Sequence, residues 1–323
     1  MDDLDPRLLA GAHRSNDLIA AGVHASELSG PLWEQQLPGR YVWTPTDSDH
    51  PRQRALVGAS AAPDDGAAGG WAAAYLLGAR MLDGSTADPS VFEPVLVCMP
   101  RVLHRPRWDG IRPFRSDLCP DDVVEVDGVP VTSRLRTAFD LTRLARSLTE
   151  AVVALDVVVR DLKVEPADVL AYAHERPKWR GAPQVRAAVA LTDPRSASPQ
   201  ETRFRMLWVL DAGLPRPLAN WPVNDLDGNL LGIVDLLDPD AAAAGEYDGA
   251  DHAAPERRAL DHARQETIER HRLSVVRIAG PDLTRYRRRT VLRIRGKREA
   301  GVQRDRALDL WSPGTTPPSV PLR

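Results

Sequence analysis

Residues 230–237 read LLGIVDLL, an apolar run that predicts a buried strand and carries a single acid, Asp235. Helical and extended patterns surround this run in a regular order. They predict a helix from Ser198 to about residue 212, extended segments over 218–223 and 241–246, a charged helix over 255–271, and a last strand over 273–278. The predicted order is therefore α-β-β-β-α-β, with the run at 230–237 as its second strand.

Acidic side chains lie on or at the ends of these predicted strands. Burying Asp235 without a partner would be expensive, and a cation would offset that cost. Glu246 and Asp248 lie two residues apart in the sequence EYDG, so a continuing strand places both on one face. Mg²⁺ prefers such oxygen ligands, and His252 can transfer protons near neutral pH. With a basic helix close by in the sequence, these groups predict metal-dependent hydrolysis of phosphodiesters, with Mg²⁺ or Mn²⁺ as the cofactor.

Each of these residues also has an ordinary structural interpretation. Ser198 and Glu201 match a helix capping box with a proline in the first turn. Asp235 can equally be a buried acid with a protein partner, Asp248 part of a turn, and His252 a surface histidine. No single residue is specific, so the functional prediction depends on the ordered set.

Charge is distributed unevenly along the chain. The full sequence has 42 basic and 45 acidic residues and a net charge of -3, whereas residues 256–306 carry 16 basic and 7 acidic residues. This asymmetry predicts an anionic partner for the basic region. The helix predicted over 284–298 supplies the arginines that we expect to bind nucleic acid, namely Arg285, Arg287, Arg288 and Arg289. The alternative is that this basic helix is only a solvated surface.

Composition excludes several classes of protein. Two cysteines, Cys98 and Cys119, are too few for a disulfide framework or for a zinc site that needs three or four thiolates. No run approaches the roughly 18 apolar residues of a transmembrane helix, so we expect no membrane partner. The acidic start of the sequence lacks a hydrophobic signal segment. Together these features predict a cytoplasmic protein.

The rest of the chain predicts an α+β multidomain protein. Residues 1–45 read as short helices followed by a strand, as in a winged-helix-like module, although a small packing or protein-contact module remains an alternative. Residues 46–132 read as a loop and a small β-rich unit, with a hairpin turn at Asp127-Gly128. Residues 133–196 read as a helical connector that starts at a capping Ser133, and residues 299–323 as a disordered tail.

The ordered set in the second half resembles a known family. Glu201, Asp235, the run EYDGADH at 246–252, DHAR at 261–264 and VVR at 275–277 look like the very-short-patch-repair-like endonuclease domain of the PD-(D/E)xK superfamily, as found in a group of actinobacterial proteins. In that group the N-terminal part resembles the winged-helix domain of AbiEi-type antitoxins. The phrase VPVTSRLRTAFDL at 129–141 is also typical of them. The resemblance implies a restriction-endonuclease-like domain over 197–298.

The resemblance also implies roles for individual residues. Asp235 would be the central metal ligand and Glu246 the second one, while Glu201 would approach the metal through water and His252 would act in catalysis. Asp248 stands where the superfamily usually has a lysine that positions water and phosphate. Arg264 would pair with Asp261 on the following helix in a structural or phosphate-contacting role.

Two functions of different class follow from these observations. The first is a metal-dependent DNA endonuclease or nickase, in DNA repair or phage defence. The alternative is a non-catalytic DNA-binding regulator of antitoxin type, in which a degenerate nuclease domain only holds DNA and the N-terminal module binds DNA, a toxin or another protein. A phosphate-binding arginine cluster would serve either function, with salt-sensitive affinity.

Overall fold

The computed structural model describes residues 5–86, 88–100, 108–249 and 264–315. It is a mixed α+β structure with eleven helices and three sheets among the described residues, and it divides into two compact units, residues 1–190 and 191–323. The predicted helical connector therefore belongs to the first unit up to residue 190. Among the described helices, none has the length and apolarity needed to cross a membrane.

The first unit begins with a three-stranded antiparallel sheet in the order β1-β3-β2, which packs on a small core around Leu18 and Trp33. A five-stranded mixed sheet follows, in the order β6-β5-β4-β8-β7. The helices and strands of this unit are β1 (His13–Arg14), α1 (Ser15–Ala20), β2 (Trp33–Leu37), β3 (Arg40–Trp43), α2 (Pro51–Ser60), β4 (Ala67–Gly69), α3 (Gly70–Leu77), β5 (Val95–Met99), β6 (Ile111–Arg115), β7 (Val123–Val126), β8 (Val129–Thr132), α4 (Arg134–Leu144), α5 (Leu148–Leu162), α6 (Pro166–His174) and α7 (Ala182–Leu191).

Residues 129–141 connect the second sheet of this unit to its helices. The predicted hairpin at Asp127-Gly128 connects β7 to β8, with both residues in the left-handed region, as a two-residue turn requires. The hydroxyl of Ser133 accepts a hydrogen bond from the backbone N–H of Arg136 and caps α4, as predicted. Arg136 and Asp140 then lie fully buried inside this unit.

The second unit is built on one five-stranded sheet in the order β12-β11-β10-β9-β13. Strands β9, β10 and β11 form an antiparallel meander, whereas β12 is parallel to β11. The predicted order α-β-β-β-α-β is observed in the described part of this unit. Its elements are α8 (Pro199–Met206, continued by a π-helical turn, Leu207–Asp211), β9 (Leu218–Asp225), β10 (Leu230–Asp238), β11 (Ala243–Asp248), α9 (264–270), β12 (Ser274–Ala279), α10 (Gly280–Leu283), α11 (Arg287–Val302) and β13 (Trp311–Pro313).

Apolar clusters on this sheet fix which helices pack on it. One cluster joins Phe204 and Trp208 of the first helix to Ile294 of the last helix. Another includes Ile268 of α9 and Trp311 of β13. A Cβ atom on Gly245 would lie 2.6 Å from the ring of Phe204, so only glycine allows α8 to approach β11 this closely.

Two sequence predictions are wrong in detail, and one strand escaped prediction. Residues 51–60, expected in a loop, form α2. Its buried residues include Gln53, Gly58 and Ser60 beside two alanines, so the sequence lacks the apolar period that reveals an amphipathic helix. Strand β2 was not predicted, because only its end residues are buried. The predicted tail contains the end of α11 and strand β13, since buried Trp311 pairs with Asp225.

Candidate functional site

Asp235 lies where the pairing between β10 and β11 ends. The backbone ladder between these strands covers three pairs, from Leu236 opposite Gly245 to Asp238 opposite Ala243. One residue beyond the ladder, the Oδ2 atom of Asp235 accepts a hydrogen bond of 2.7 Å from the backbone N–H of Tyr247. A side-chain carboxylate thus replaces the next backbone acceptor, which fixes its position between the two strands.

The structure brings three of the predicted acids together around this point. Continuing the register by one residue sets Asp235 opposite Glu246, and directly opposed residues on antiparallel strands have neighbouring side chains. Burial raises the pKa of Asp235 well above its usual range, and the carboxylates of Glu246 and Glu201 raise it further. The N–H of Tyr247 and the charge of Arg264 act in the opposite direction. Asp235 is therefore a partly buried acid in a field of like charge.

Glu201 fulfils the capping interpretation and also lies close to Asp235. Its backbone N–H donates to the Ser198 hydroxyl at 3.2 Å, and its Oε2 atom accepts from the backbone N–H of Ala197 at 2.7 Å. The same oxygen accepts 2.6 Å from the side-chain amide of Asn220 on β9. These bonds hold the first turn of α8 against the sheet, so the cap itself positions this carboxylate.

Arg264 lies inside the site rather than on an open surface. One of its guanidinium nitrogens, Nη2, is 3.6 Å from Oε2 of Glu246, and the other, Nη1, donates to the carbonyl oxygen of Ile233 at 3.0 Å. Its aliphatic carbons pass within 3.1 Å of where a Cβ atom on Gly232 would lie. The described contacts of Arg264 are with protein groups, and its contact with nucleic acid stays a prediction.

The structure places Asp248 at the exposed end of β11. Its side chain retains 59% of its accessible surface and forms an ion pair of 3.8 Å with Arg277. By the alternation of a strand it shares a face with Glu246, as predicted, but it lies further along towards solvent. The predicted His252 and Asp261 lie outside the described residues.

The donor set suits a hard cation. No group of three or more His, Cys, Asp or Glu side chains within the described ranges is arranged to hold a metal ion. Mg²⁺, however, is commonly bound by only one or two carboxylates and keeps several water molecules. Asp235 and Glu246 offer carboxylate oxygens, which favour Mg²⁺ or Mn²⁺ over softer ions. A cation between them would also relieve the repulsion that raises the pKa of Asp235.

The arginines of the last long helix divide into two groups. Several are used inside the fold: Arg287 bonds Asp211, Arg293 bonds the carbonyl of Arg277, Arg295 bonds that of Ala212, and Arg298 pairs with Asp238. The predicted Arg285, Arg288 and Arg289 are exposed around the amino end of α11. Arg287 therefore has a structural partner, whereas these three arginines face solvent.

Strand directions show at which edge of the sheet the amino end of α11 lies. Because β11 and β12 are parallel, their carboxyl ends meet at one edge of the sheet, where Asp248 is opposite Ala279. The helix α10 starts at this edge, and a Cβ atom on Gly280 would lie 3.6 Å from the hydroxyl of Tyr247. Since α11 runs back across the sheet to reach Asp238, its amino end is at the edge that carries Glu246.

Sequence reasoning missed several groups that shape the site. Asn220 has a positive φ of 45°, which asparagine tolerates better than most residues, and its amide bonds Glu201. The carbonyl of Ile233 and the N–H of Tyr247 belong to the backbone, and no residue type in the sequence can reveal them. Comparison with known proteins adds no further assignment: no family model, curated protein or solved structure matches this chain.

Proposed function

We propose that this protein is a metal-dependent DNA endonuclease or nickase whose restriction-endonuclease-like domain spans residues 197–298. The observation that carries the proposal is the pair of acids, Asp235 and Glu246, at the end of the β10–β11 ladder. The order of helices and strands supports it, since the resemblance implies this order for the nuclease domain. The two free cysteines agree with a reducing cytoplasm as the compartment.

In this proposal Asp235 and Glu246 hold Mg²⁺ or Mn²⁺. When bound, such an ion activates water and stabilises the negative charge that develops on a phosphate. Around it, the N–H of Tyr247 fixes one oxygen of Asp235, and Asn220 fixes the carboxylate of Glu201. Preorganised groups of this kind need little rearrangement during the reaction, which is a main source of catalytic power.

Proton transfer is assigned to His252 in this proposal. Asp248 replaces the usual lysine of the superfamily, and its exposed carboxylate cannot stabilise a developing anion. A histidine with a pKa near neutrality can accept a proton from water at physiological pH. Asp248 would then orient this histidine or contribute to metal binding.

Binding of DNA is assigned to the exposed arginines at the amino end of α11, namely Arg285, Arg288 and Arg289. Their exposure and their place at the edge that carries Glu246 support this assignment. Contacts between arginine and phosphate give affinity that is independent of sequence and falls steeply with salt. The alternative function, a DNA-binding regulator without catalysis, uses the same arginines, and its N-terminal module would bind DNA or a protein partner such as a toxin.

The decisive experiment is plasmid nicking by the full-length chain with Mg²⁺ or Mn²⁺. We expect Asp235→Asn to reduce nicking by about 100-fold or more, because the variant loses one of two charged ligands. It should still retain DNA on a filter, since the exposed arginines are unchanged. Asp240→Asn is the matched control: Asp240 is also an aspartate of this unit but is 72% exposed, and its variant should nick normally.

Two outcomes would contradict the nuclease proposal. Equal nicking by the wild-type chain and by Asp235→Asn would assign the activity to a contaminant. Retention of DNA by a wild-type chain that never nicks it, with either metal ion, would favour the regulator.

A further inference from the structure

In the described part of the chain, three separate features of the fold contact Arg264. Its aliphatic carbons cross β10 at Gly232, where a side chain would collide with them. Its Nη1 atom donates to the carbonyl oxygen of Ile233 on β10, while its Nη2 atom approaches the carboxylate of Glu246 on β11 at 3.6 Å. These contacts fix the long side chain of Arg264 in one direction. The position of its guanidinium group, and not only its charge, is therefore expected to matter.

The contacts of Arg264 span the gap that follows the last backbone pair of β10 and β11. The ladder stops at Leu236 and Gly245, yet the arginine ties residue 233 of one strand to residue 246 of the other. The planar guanidinium can bridge two acceptors in fixed directions, which an ammonium group does less well. Without this bridge, the carboxylate of Glu246 would lose a contact that ties it to β10, the strand that carries Asp235.

We propose that Arg264 is a positioning residue that holds the carboxylate of Glu246 beside Asp235, so that both can bind one divalent cation. This inference rests on the proposed function. Arg264 acts through Glu246 and does not touch the cation. Its charge also partly neutralises the acid pair and so opposes their mutual repulsion.

The test is binding of Mn²⁺ to the full-length chain, measured from the electron paramagnetic resonance signal of free Mn²⁺, without DNA. Loss of a group that orients a metal ligand commonly weakens metal affinity about 10- to 100-fold, and we expect Arg264→Gln to fall in that range. Arg264→Lys should recover only part of the affinity, because one ammonium group replaces the two-pronged contact.

Arg295→Gln is the matched control for the loss of a structural arginine. Arg295 also bonds a carbonyl oxygen, that of Ala212, but does so at the end of α8. Its replacement should leave the affinity for Mn²⁺ unchanged at temperatures where the variant is folded by circular dichroism. A general loss of packing would lower the affinity of both variants equally and would contradict the positioning role.

Gly232→Ala tests the same inference without changing charge. Its Cβ atom would lie 3.1 Å from the carbons of Arg264 and push the guanidinium away from Glu246. We expect a smaller loss of Mn²⁺ affinity than in Arg264→Gln, and this variant serves if the latter does not fold. Unchanged affinity in Gly232→Ala would count against the inference.

The outcomes separate this inference from the proposed function. If the wild-type chain binds Mn²⁺, Asp235→Asn does not, and Arg264→Gln binds as tightly as wild type or more tightly, the positioning role is overturned and the metal site stands. If the wild-type chain and Asp235→Asn bind Mn²⁺ equally weakly, the metal site itself is wrong.

Discussion

Each unit contains a cluster of acids, one around Asp140 and one around Asp235, and the two clusters differ in how their negative charge is compensated. In the first unit, Asp140 lies between two arginines, 2.8 Å from Arg136 and 2.6 Å from Arg143, and all three side chains are buried. In the second unit, Asp235 has two other acids as its neighbours, and its pKa rises well above the usual range through burial and their repulsion. A fold that only needs stability pairs its charges; a cluster of like charges costs stability and points to a ligand.

The neutralised cluster of the first unit extends well beyond one ion pair. Arg136 also forms an ion pair with Asp122 at 3.0 Å, and Asp122 accepts a hydrogen bond of 2.7 Å from the hydroxyl of Tyr172. The guanidinium groups lie over the ring of Trp179 at 4.8 and 5.0 Å. Every charge in this cluster has an opposite charge or a hydrogen-bond partner, as a buried network requires.

The largest effect is expected when the neutralised cluster is broken. Asp140→Asn leaves two buried arginines without their shared countercharge, and we expect the free energy of unfolding to fall by about 3–5 kcal/mol. Urea denaturation followed by circular dichroism measures this change. The exposed pair of Arg52 and Asp127 is the control, since Arg52→Gln should cost about 1 kcal/mol or less. Equal losses in both variants would remove the distinction between buried and exposed pairs.

The acid cluster should show the opposite response to loss of a carboxylate. The pKa of Asp235 is raised in the folded protein, so the folded state binds this proton more tightly than the unfolded state does. The stabilisation of the folded state by protonated Asp235 is complete below the ordinary aspartate pKa of about 4. It is lost as the pH rises through the raised pKa of the folded protein. In EDTA, Asp235→Asn should therefore become more stable than wild type as the pH increases. Urea denaturation across this range checks the sign, and a difference that does not vary with pH would contradict it.

The smallest effects are expected when two serine caps of identical chemistry are removed. Ser133 caps α4 of the first unit and Ser198 caps α8 of the second, each by accepting a backbone N–H. Each serine-to-alanine change should cost about 1 kcal/mol in thermal or urea denaturation. Only Ser198→Ala should also weaken Mn²⁺ binding, because this cap orients Glu201. A loss of Mn²⁺ affinity in Ser133→Ala would show that the effect is not local to the site.

Much of the second unit could be predicted because its signals are local. An apolar run with one acid indicates a buried strand, and Ser198 followed by proline and Glu201 indicates a helix start, so the order of elements followed from residue types alone. The same reasoning failed for α2 and β13. The buried residues of α2 include the polar Gln53 and Ser60, so they give no apolar period, and the burial of Trp311 depends on a strand about 90 residues earlier in the chain.

The sequence by itself determined which residues could form the site, because a lone acid in an aliphatic strand and a pair of acids two residues apart are visible without coordinates. Only the tertiary structure decided how they meet. In the fold, Asp235 lies opposite Glu246 and accepts a hydrogen bond from the N–H of Tyr247. The side chain of Arg264 crosses Gly232 and contacts both strands. The physical reason is that register, backbone hydrogen bonds and close approach depend on strands and helices distant in the chain, and these have no signature in residue type.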